Sequence, residues 1–329
     1  MVITLSRDAS RIQPYARPVV PSPLVRQLEL PGPIDLPRTM TSGFGPRDPS
    51  SWREGGAMWR ATRTPEGPVT FRVAVAEERA VVQAWGPGAR YALDHVDAWL
   101  GLDDDPDGLV PKDAVVARAK RRHPGLRLGR GRPIFEVLVP VIIGQRVTTG
   151  EASDSWRHLV FRHGERAPGP CRLFVPPPVE ALKRIALPGY HEFGIEGSRG
   201  KVILEACHHQ RFVEGVTELP PNEAVRELRK LPGIGPWTAH LTVAAVMGWP
   251  DALPLGDYHI PSVVAHALAG EERANDRRMV ELLEPYKGQR WRVIRLVGAD
   301  TKRSIRHHPR RAPWKVQVEL ATARRARRG

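Results

Sequence analysis

Three short runs rich in β-branched and aromatic residues follow one another early in the chain. They cover Met58 to Thr64, Val69 to Val75 and Ala80 to Trp85. Pro65-Glu66-Gly67-Pro68 separates the first two and Ala76-Glu77-Glu78-Arg79 the last two, and both sequences are typical of turns. The pattern predicts an antiparallel β-meander.

Helical spacing begins directly after these runs. Leu93, Val96, Trp99 and Leu100 recur with the period of one helix face, and Asp103-Asp104-Asp105-Pro106 ends that helix. The meander and this helix together predict a small α+β domain that ends near residue 110.

Before the meander, residues 11–50 contain nine prolines, each of which fixes φ and lacks an N–H donor. We therefore expect an extended, irregular segment, beginning with a proline-rich arm at residues 1–23.

Beyond residue 110 no stretch predicts a strand, and ten segments predict helices. They are Val115 to Arg122, Ile134 to Val147, Glu151 to His163, Val179 to Leu187, Ser198 to Glu214, Glu223 to Lys230, Pro236 to Met247, Tyr258 to Leu268, Arg277 to Leu283 and Arg290 to Val297. Glycines stand where helices should end, at positions 150, 164, 189, 215, 248 and 270. Pro140 predicts a kink or a late start in the second of these helices.

The chain has 329 residues, of which 41% are hydrophobic and 26% charged, as in soluble proteins with packed cores. Its two cysteines, Cys171 and Cys207, exclude a disulfide framework and a four-cysteine metal site. The uncharged stretch Leu231 to Pro250 has the length of a membrane span, but its three prolines, early glycines and His240 argue against one. The first thirty residues contain no apolar secretory segment, so we expect a cytoplasmic protein without a membrane partner.

The formal net charge is +14, which favours a polyanionic partner, nucleic acid before a membrane surface. Ten Lys/Arg and one acid lie between Lys302 and Gly329, so this segment contributes +9 and the first 301 residues contribute +5. Residues 301–329 therefore form a basic C-terminal tail, which either supports DNA binding or is a solvated extension.

The sequence Leu231-Pro232-Gly233-Ile234-Gly235-Pro236-Trp237-Thr238-Ala239 lies between two predicted helices. Glycine is favoured where φ is positive or where the backbone approaches another group, and proline fits the first turn of a helix. This predicts a tight hairpin and a helix N-terminus that together can bind a phosphate, with Ile234 anchored in the core. An ordinary turn without a ligand is the alternative.

This string resembles the signature hairpin of the helix-hairpin-helix DNA glycosylases. The segment Leu255-Gly256-Asp257-Tyr258-His259-Ile260, whose aspartate lies twenty-two residues after Gly235, resembles the aspartate segment of that superfamily. The tryptophan at 237 makes the chain most similar to the 3-methyladenine-DNA glycosylase II family. Further similarities to that family are Pro124-Gly125-Leu126-Arg127-Leu128, Phe135-Glu136, Ile142-Ile143-Gly144-Gln145, and Glu284-Pro285-Tyr286-Lys287 with Trp291.

The resemblance covers roughly residues 24–300. It implies a small α+β domain at 24–110, followed by an all-α helix-hairpin-helix DNA glycosylase domain at 111–300. The proline-rich arm and the basic tail lie outside it.

The reaction that the resemblance implies is hydrolysis of an N-glycosidic bond in DNA, after the target nucleotide leaves the base stack. A carboxylate would stabilise the oxocarbenium character of the sugar and orient the attacking water. Asp257 stands at the family's position for this role. Its alternative role is to cap the next helix, which aspartate also does well.

Trp237 stands where the lyase branch of the superfamily has a Schiff-base lysine, so the resemblance implies a monofunctional enzyme without AP lyase activity. Trp237 and Tyr286 correspond to aromatic residues of the base pocket, where an indole can stack on a cationic purine. The alternative is core packing, since Trp237, Leu241, Ala244 and Ala245 fall on one predicted helix face.

In the family, the turn at Gln145-Arg146 fills the space left by the flipped nucleotide. Leucine is usual at the second position, and Arg146 departs from that pattern. A plain surface turn is the alternative. The predicted DNA-binding residues are therefore Gln145, Arg146, Gly233, Ile234, Gly235 and Thr238.

We expect no cofactor. No cysteine follows Asp257, so an iron–sulfur cluster of the kind found in the lyase branch is not expected. His208-His209 lacks a second metal-binding motif, and the resemblance implies at most a monovalent cation at the hairpin carbonyls. We expect a monomer that acts on double-stranded DNA with damaged bases and associates with the nucleoid.

The resemblance favours an enzyme that excises alkylated purines of the 3-methyladenine type in base excision repair. One alternative is a non-catalytic helix-hairpin-helix DNA-binding protein, which would need neither Asp257 nor Trp237. The other is a glycosylase of the same fold for another lesion, such as a deaminated base.

Overall fold

A computed structural model describes residues 21–40 and 47–301. The predicted arm lies almost wholly outside these residues, as does the basic tail apart from Thr301. Five antiparallel strands form the first sheet, in the order β1-β5-β4-β3-β2. They are β1 (Leu24–Glu29), β2 (Ser51–Glu54), β3 (Ala57–Thr64), β4 (Gly67–Ala76) and β5 (Arg79–Trp85).

The meander prediction is confirmed for β3, β4 and β5, which match the three predicted runs within a few residues. The prediction of an irregular segment over residues 11–50 is wrong where β1 pairs with β5 from Leu24 to Glu29. A short helix, α1 (Leu36–Met40), also interrupts that segment. The nearby prolines lie outside the paired strand, where a missing N–H breaks no ladder.

Helix α2 (Ala89–Trp99) covers one face of this sheet and confirms the helix predicted from Leu93 to Leu100. Its buried side chains pack with Phe71, Val73 and Val82 of the central strands. Alternation along the strands places these residues on the face that meets the helix, so the two elements share one core.

The other face of the sheet packs against a two-stranded hairpin, β6 (Glu165–Arg166) with β7 (Phe174–Val175). Trp59 and Trp85 stack with ring centroids 5.3 Å apart and pack with Leu173 and Val175. The prediction that no strand follows residue 110 is therefore wrong at this hairpin. Two-residue strands are too short to produce an alternating pattern.

Eleven α-helices follow in the described residues after β5 and α2. They are α3 (Ala114–Arg122), α4 (Phe135–Ile143), α5 (Thr149–His163), α6 (Val179–Lys183), α7 (Gly197–His208), α8 (Gln210–Gly215), α9 (Pro221–Leu228), α10 (Pro236–Met247), α11 (Ile260–Ala269), α12 (Asp276–Leu283) and α13 (Arg290–Asp300). In the same part of the chain, 3₁₀ segments lie at Leu187–Phe193, Val216–Glu218 and Glu284–Tyr286.

Several predicted boundaries need correction. The helix predicted from Ser198 to Glu214 divides at His209, and the one predicted from Tyr258 begins at Ile260. Gly150 lies inside the first turn of α5 instead of ending a helix, because Thr148 and Glu151 form a capping box there. Gly164, Gly248 and Gly270 are helix C-caps, as predicted.

A buried ionic network joins α4 to the first sheet. Glu136 accepts hydrogen bonds from Thr62 Oγ1 at 2.8 Å and from the Arg63 N–H at 2.9 Å. The Arg60 guanidinium lies 3.5 Å from the same carboxylate. Paired buried charges of this kind fix a register between two elements, so the start of α4 is held against the sheet. Among the described residues, no helix is both long enough and apolar enough to cross a lipid bilayer.

Candidate active site and nucleic-acid interface

The hairpin, residues 231–235, connects α9 to α10. Gly233 has φ of +86°, and a Cβ at this position would overlap with the Val202 side chain on α7. Ile234 is 4% exposed and packs in the core, while its N–H donates to the Leu231 carbonyl at 3.1 Å. The backbone conformation and the neighbouring helix therefore both require glycine at position 233.

Gly235 is the N-cap of α10, with an extended backbone, and Pro236 opens the helix. Among the described residues, no atom lies within 4 Å of the position that a Gly235 Cβ would occupy. The first N–H groups of a helix have no partner within it and carry its positive dipole end. The N–H groups at the start of α10 are therefore open to approach from this side, and such a helix N-terminus can bind a phosphate.

Trp237 lies in the first turn of α10 and contacts Asp257. Its indole Nε1–H donates to Asp257 Oδ2 at 2.7 Å, across 20 residues of sequence. The side of α10 that packs into the core carries Thr238, Ala239 and Val243, whereas Trp237 is only half-buried. The predicted apolar face through Trp237 is therefore not the main core face of α10.

Asp257 uses both carboxylate oxygens. Oδ1 accepts the backbone N–H groups of His259 and Ile260, each at 2.7 Å, which caps the start of α11. Oδ2 accepts the Trp237 indole N–H. Three donors from two elements fix the orientation of this carboxylate. Because Oδ1 alone caps the helix, Oδ2 is bound only by Trp237 among the hydrogen bonds of the described residues, and capping is compatible with a second role for this side chain.

The turn after α4 lies directly against the hairpin. Gln145 Nε2 donates to the Gly233 carbonyl at 3.1 Å and to Thr238 Oγ1 at 2.9 Å. A Cβ on Gly144 would lie 3.6 Å from the far edge of the Trp237 ring. The structure therefore brings Gln145, the hairpin, Trp237 and Asp257 into one site.

Arg146 follows Gln145 with φ of +58° and an exposed side chain. A non-glycine residue in the left-handed region costs roughly 1–2 kcal/mol. Such residues concentrate at functional sites, where the surrounding structure holds them in place.

No family model matches this chain. It is similar to DNA-3-methyladenine glycosylase 2 of Escherichia coli, with 26% identity over 65% of this chain and 80% of the relative. It is also similar to the DNA-3-methyladenine glycosylase of Bacillus subtilis, with 20% identity over 61% of this chain and 71% of the relative.

Among solved structures, a 3-methyladenine DNA-glycosylase from Archaeoglobus fulgidus aligns over 84% of this chain and 98% of its own, with 22% identity and a TM-score of 0.70. The chain is thus similar in sequence to DNA-3-methyladenine glycosylases and shares the fold of a solved 3-methyladenine DNA-glycosylase. An 8-oxoguanine glycosylase/lyase from Clostridium acetobutylicum aligns over 84% of this chain and 96% of its own, with 16% identity and a TM-score of 0.66. The fold alone therefore does not separate lyases from hydrolases, and individual residues must do so.

The segment that carries Asp257 is anchored at several points. Asp251 accepts two hydrogen bonds from the Arg290 guanidinium, at 2.8 and 2.6 Å. The Leu253 N–H donates to His240 Nδ1 at 3.0 Å. Closer to the carboxylate, the Gly256 N–H donates to Asp276 at 2.8 Å. Sequence reasoning missed these anchors, because their partners are remote in sequence and belong to no motif.

Arg199 of α7 is another residue that sequence reasoning missed. It is 6% exposed and donates to the Ile143 carbonyl, the last residue of α4, at 2.7 Å. Burial lowers the pKa of its guanidinium, and nearby Glu196 and Glu151 oppose that effect. Helix α7 thus contacts the hairpin through Val202 and the end of α4 through Arg199.

Tyr286 lies elsewhere, in the core around α3 and α13. It is 3% exposed, and its hydroxyl donates to Asp113 at 2.6 Å while accepting the N–H groups of Lys112 and Asp113. Burial and the bond to Asp113 raise the pKa of Tyr286 to about 12. Its polar atom is therefore fully used within the fold, and we do not include it in the proposed site.

The hairpin carbonyls have the chemistry that a monovalent cation needs. The Leu231 and Gly233 carbonyls each accept one N–H bond, and a carbonyl oxygen has a second lone pair available. In the described part of the chain, no group of three or more His, Cys, Asp or Glu residues is placed to hold a metal ion.

His240 gives the site a testable pH dependence. Burial, followed by the charges of Arg290 and Arg229, lowers the pKa of His240 to about 4. The unfolded chain therefore takes up this proton below about pH 6.5, while the folded protein does not until about pH 4. We expect this group to remove up to about 3 kcal/mol of stability as the pH falls across that interval.

The comparison that checks this is urea unfolding of the wild type and His240→Asn at pH 7 and pH 4.5. Asparagine can accept the Leu253 N–H without titrating. The variant should lose less stability over this interval than the wild type. Equal losses in the two proteins would contradict a neutral, buried His240.

Proposed function

We propose that this protein is a monofunctional DNA glycosylase that removes alkylated purines of the 3-methyladenine type by hydrolysis. Excision of alkylated bases in DNA repair agrees with the relatives' names. The observation that carries the hydrolytic mechanism is the 2.7 Å hydrogen bond from Trp237 to Asp257 beside the hairpin. A non-catalytic DNA-binding module would need neither residue.

The hairpin and the start of α10 bind the phosphate backbone of double-stranded DNA. Open space at Gly235 lets a phosphate approach the backbone N–H groups. A monovalent cation at the Leu231 and Gly233 carbonyls would neutralise part of the phosphate charge when bound. The damaged nucleotide then leaves the base stack, which costs a few kcal/mol and least for a weakly paired base.

Asp257 acts at the sugar. As the bond between C1′ and the base nitrogen breaks, its electron pair leaves with the base and positive charge develops on the sugar. The fixed Oδ2 oxygen stabilises this charge, and water completes the bond to C1′ after giving a proton to the carboxylate or to solvent. An alkylated cationic purine leaves as a neutral base, so the reaction needs no general acid.

Trp237 serves this reaction with two parts of its ring. The indole N–H holds the carboxylate, and the half-buried ring leaves a π surface that can stack on an electron-poor base. Attraction between a cation and an aromatic face amounts to roughly 0.5–2 kcal/mol. This favours positively charged lesions over neutral bases.

The product of the reaction tests this proposal. Because tryptophan has no amine, excision should leave an intact abasic strand that breaks only after alkali or heat. Borohydride treatment during the reaction should trap no covalent protein–DNA adduct. The readout is a denaturing gel of an end-labelled duplex with one alkylated purine, with and without alkali.

A trapped adduct would contradict the hydrolytic mechanism. Lys230 and Lys201 would then be the candidate amines, and their arginine variants would identify the one responsible. The Lys230 amine donates to Glu227 at 2.7 Å, a contact that it would have to give up in order to attack the sugar.

A further inference from the structure

Arg146 is an exposed cation at the edge of the site. The turn that carries it follows the last residue of α4, and its backbone lies in the left-handed region at φ +58°. Among the described residues its guanidinium has no hydrogen-bond or ion-pair partner. The side chain is therefore available to a ligand.

The backbone of this turn is held from two sides. On one side, Gln145 binds the Gly233 carbonyl and the Thr238 hydroxyl. On the other, the buried Arg199 guanidinium holds the Ile143 carbonyl at 2.7 Å. The position of Arg146 is thus set by contacts that do not involve its own side chain, which is how a strained backbone is maintained for a purpose.

The turn also lies beside the site mouth, because a Cβ on Gly144 would lie 3.6 Å from the Trp237 ring and Gln145 contacts the hairpin. A role for Arg146 at this mouth rests on the proposed function, since only base excision brings a flipped nucleotide into the site. When a nucleotide leaves the stack, its former partner stays in the duplex with an unsatisfied pairing edge. A donor at the site mouth can reach that edge.

We propose that Arg146 recognises the base opposite the lesion and favours cytosine over thymine. A guanidinium has five N–H donors and no acceptor, arranged as a planar fork. Cytosine offers two adjacent acceptors on its pairing edge, N3 and O2. In thymine the N3–H donor lies between the two carbonyl oxygens, so it would face the N–H donors of the guanidinium and repel them. Among the alkylated purines of the proposed function, those derived from guanine, which pair with cytosine, would therefore be held better than those derived from adenine.

A base contact differs from a phosphate contact in its consequences. A phosphate contact adds affinity regardless of sequence, whereas a two-point contact to a base edge adds discrimination. The hairpin and the α10 N-terminus already supply phosphate donors, so the guanidinium is not needed for that role. The aliphatic part of the arginine can still fill part of the vacated space.

The test measures DNA binding and does not require the protein to excise a base. Duplexes carry a tetrahydrofuran abasic analogue opposite cytosine or thymine, and affinity is measured by fluorescence anisotropy. We expect the wild type to bind the cytosine duplex roughly tenfold more tightly, within the range for a two-point arginine contact. Arg146→Leu should bind both duplexes equally, and Arg146→Lys should discriminate by about threefold or less, because lysine lacks the fork.

Arg162→Leu is the matched control, since it removes an exposed arginine of α5 that lies outside the turn and should keep the tenfold ratio. If Arg146→Leu melts at a lower temperature than the wild type, Arg146→Gly is used in its place, because glycine adopts a positive φ without strain. Equal wild-type affinity for both duplexes would overturn the proposal, as would an unchanged ratio in Arg146→Leu. Equal weakening of both duplexes by that variant, with the ratio kept, would assign Arg146 to a phosphate. Wild-type discrimination without excision of any lesion would reject the proposed function and leave the role of Arg146 intact.

Discussion

Asp257→Asn is expected to lower the rate of base excision roughly 10²–10⁴-fold while leaving duplex affinity nearly unchanged. In the proposed mechanism the carboxylate stabilises charge that exists only in the transition state, so its loss should affect the chemical step. In the proposed function, DNA affinity would come mainly from phosphate contacts at the hairpin, which the substitution leaves in place.

Asparagine is a suitable replacement because it also caps helices well. Its side-chain oxygen can still accept the N–H groups of His259 and Ile260, so α11 should keep its start. Single-turnover excision and binding are measured on the same oligonucleotide, together with thermal melting. Excision near the wild-type rate in the folded variant would remove Asp257 from the mechanism.

Gly233→Ala is expected to have the second large effect, a loss of about 3 kcal/mol or more in the free energy of unfolding. The new Cβ would overlap with Val202, and an alanine would have to adopt φ of +86°. In a chain of 329 residues, a loss of this size lowers the melting temperature by roughly 4–5 °C. DNA binding should fall with it, because the hairpin and its contact to Gln145 would move.

Gly235→Ala, two residues away, is the matched control. Its Cβ would meet no atom of the described residues, and its backbone is extended, so melting should stay within about 1–2 °C of the wild type. The added methyl group would stand where a phosphate approaches, and we expect duplex affinity to fall roughly tenfold, about the effect of losing one charge-assisted hydrogen bond. Normal DNA binding by Gly235→Ala would contradict a phosphate site at this position.

Local sequence patterns were sufficient to predict those strands and helices whose hydrophobic positions recur with a strong period. Strands β3 to β5 and helix α10 match their predictions because alternation, turn residues and Pro236 all act over a few residues. The hairpin could also be recognised, since Gly233 meets a requirement of the backbone at that point.

Other elements could not be predicted because their stability comes from distant partners. Strand β1 depends on its pairing with β5, more than fifty residues later, and the β6-β7 hairpin depends on packing against Trp59 and Trp85. Arg199 and His240 act through single hydrogen bonds to backbone groups of other segments. No periodicity or motif reports such contacts.

The structure brings some of the predicted site residues together and places another elsewhere. Trp237 and Asp257 lie in contact although 20 residues separate them in sequence. Only the family resemblance indicated that they belong to one site. Tyr286 lies in the core with its hydroxyl bound to Asp113, a partner 173 residues away. An aromatic residue after a proline gives no local signal that distinguishes a pocket from a core.

The most direct test of the proposed activity is the release of free base by the wild-type protein from duplexes with one modified nucleotide each. The panel comprises an alkylated purine, a deaminated purine and the undamaged base, at equal DNA concentration under single-turnover conditions. We expect the alkylated purine to be released fastest and to leave an intact abasic strand, and Asp257→Asn to release it roughly 10²–10⁴-fold more slowly from the same DNA. Release of the deaminated base alone, or of no base at all, would contradict the proposed activity.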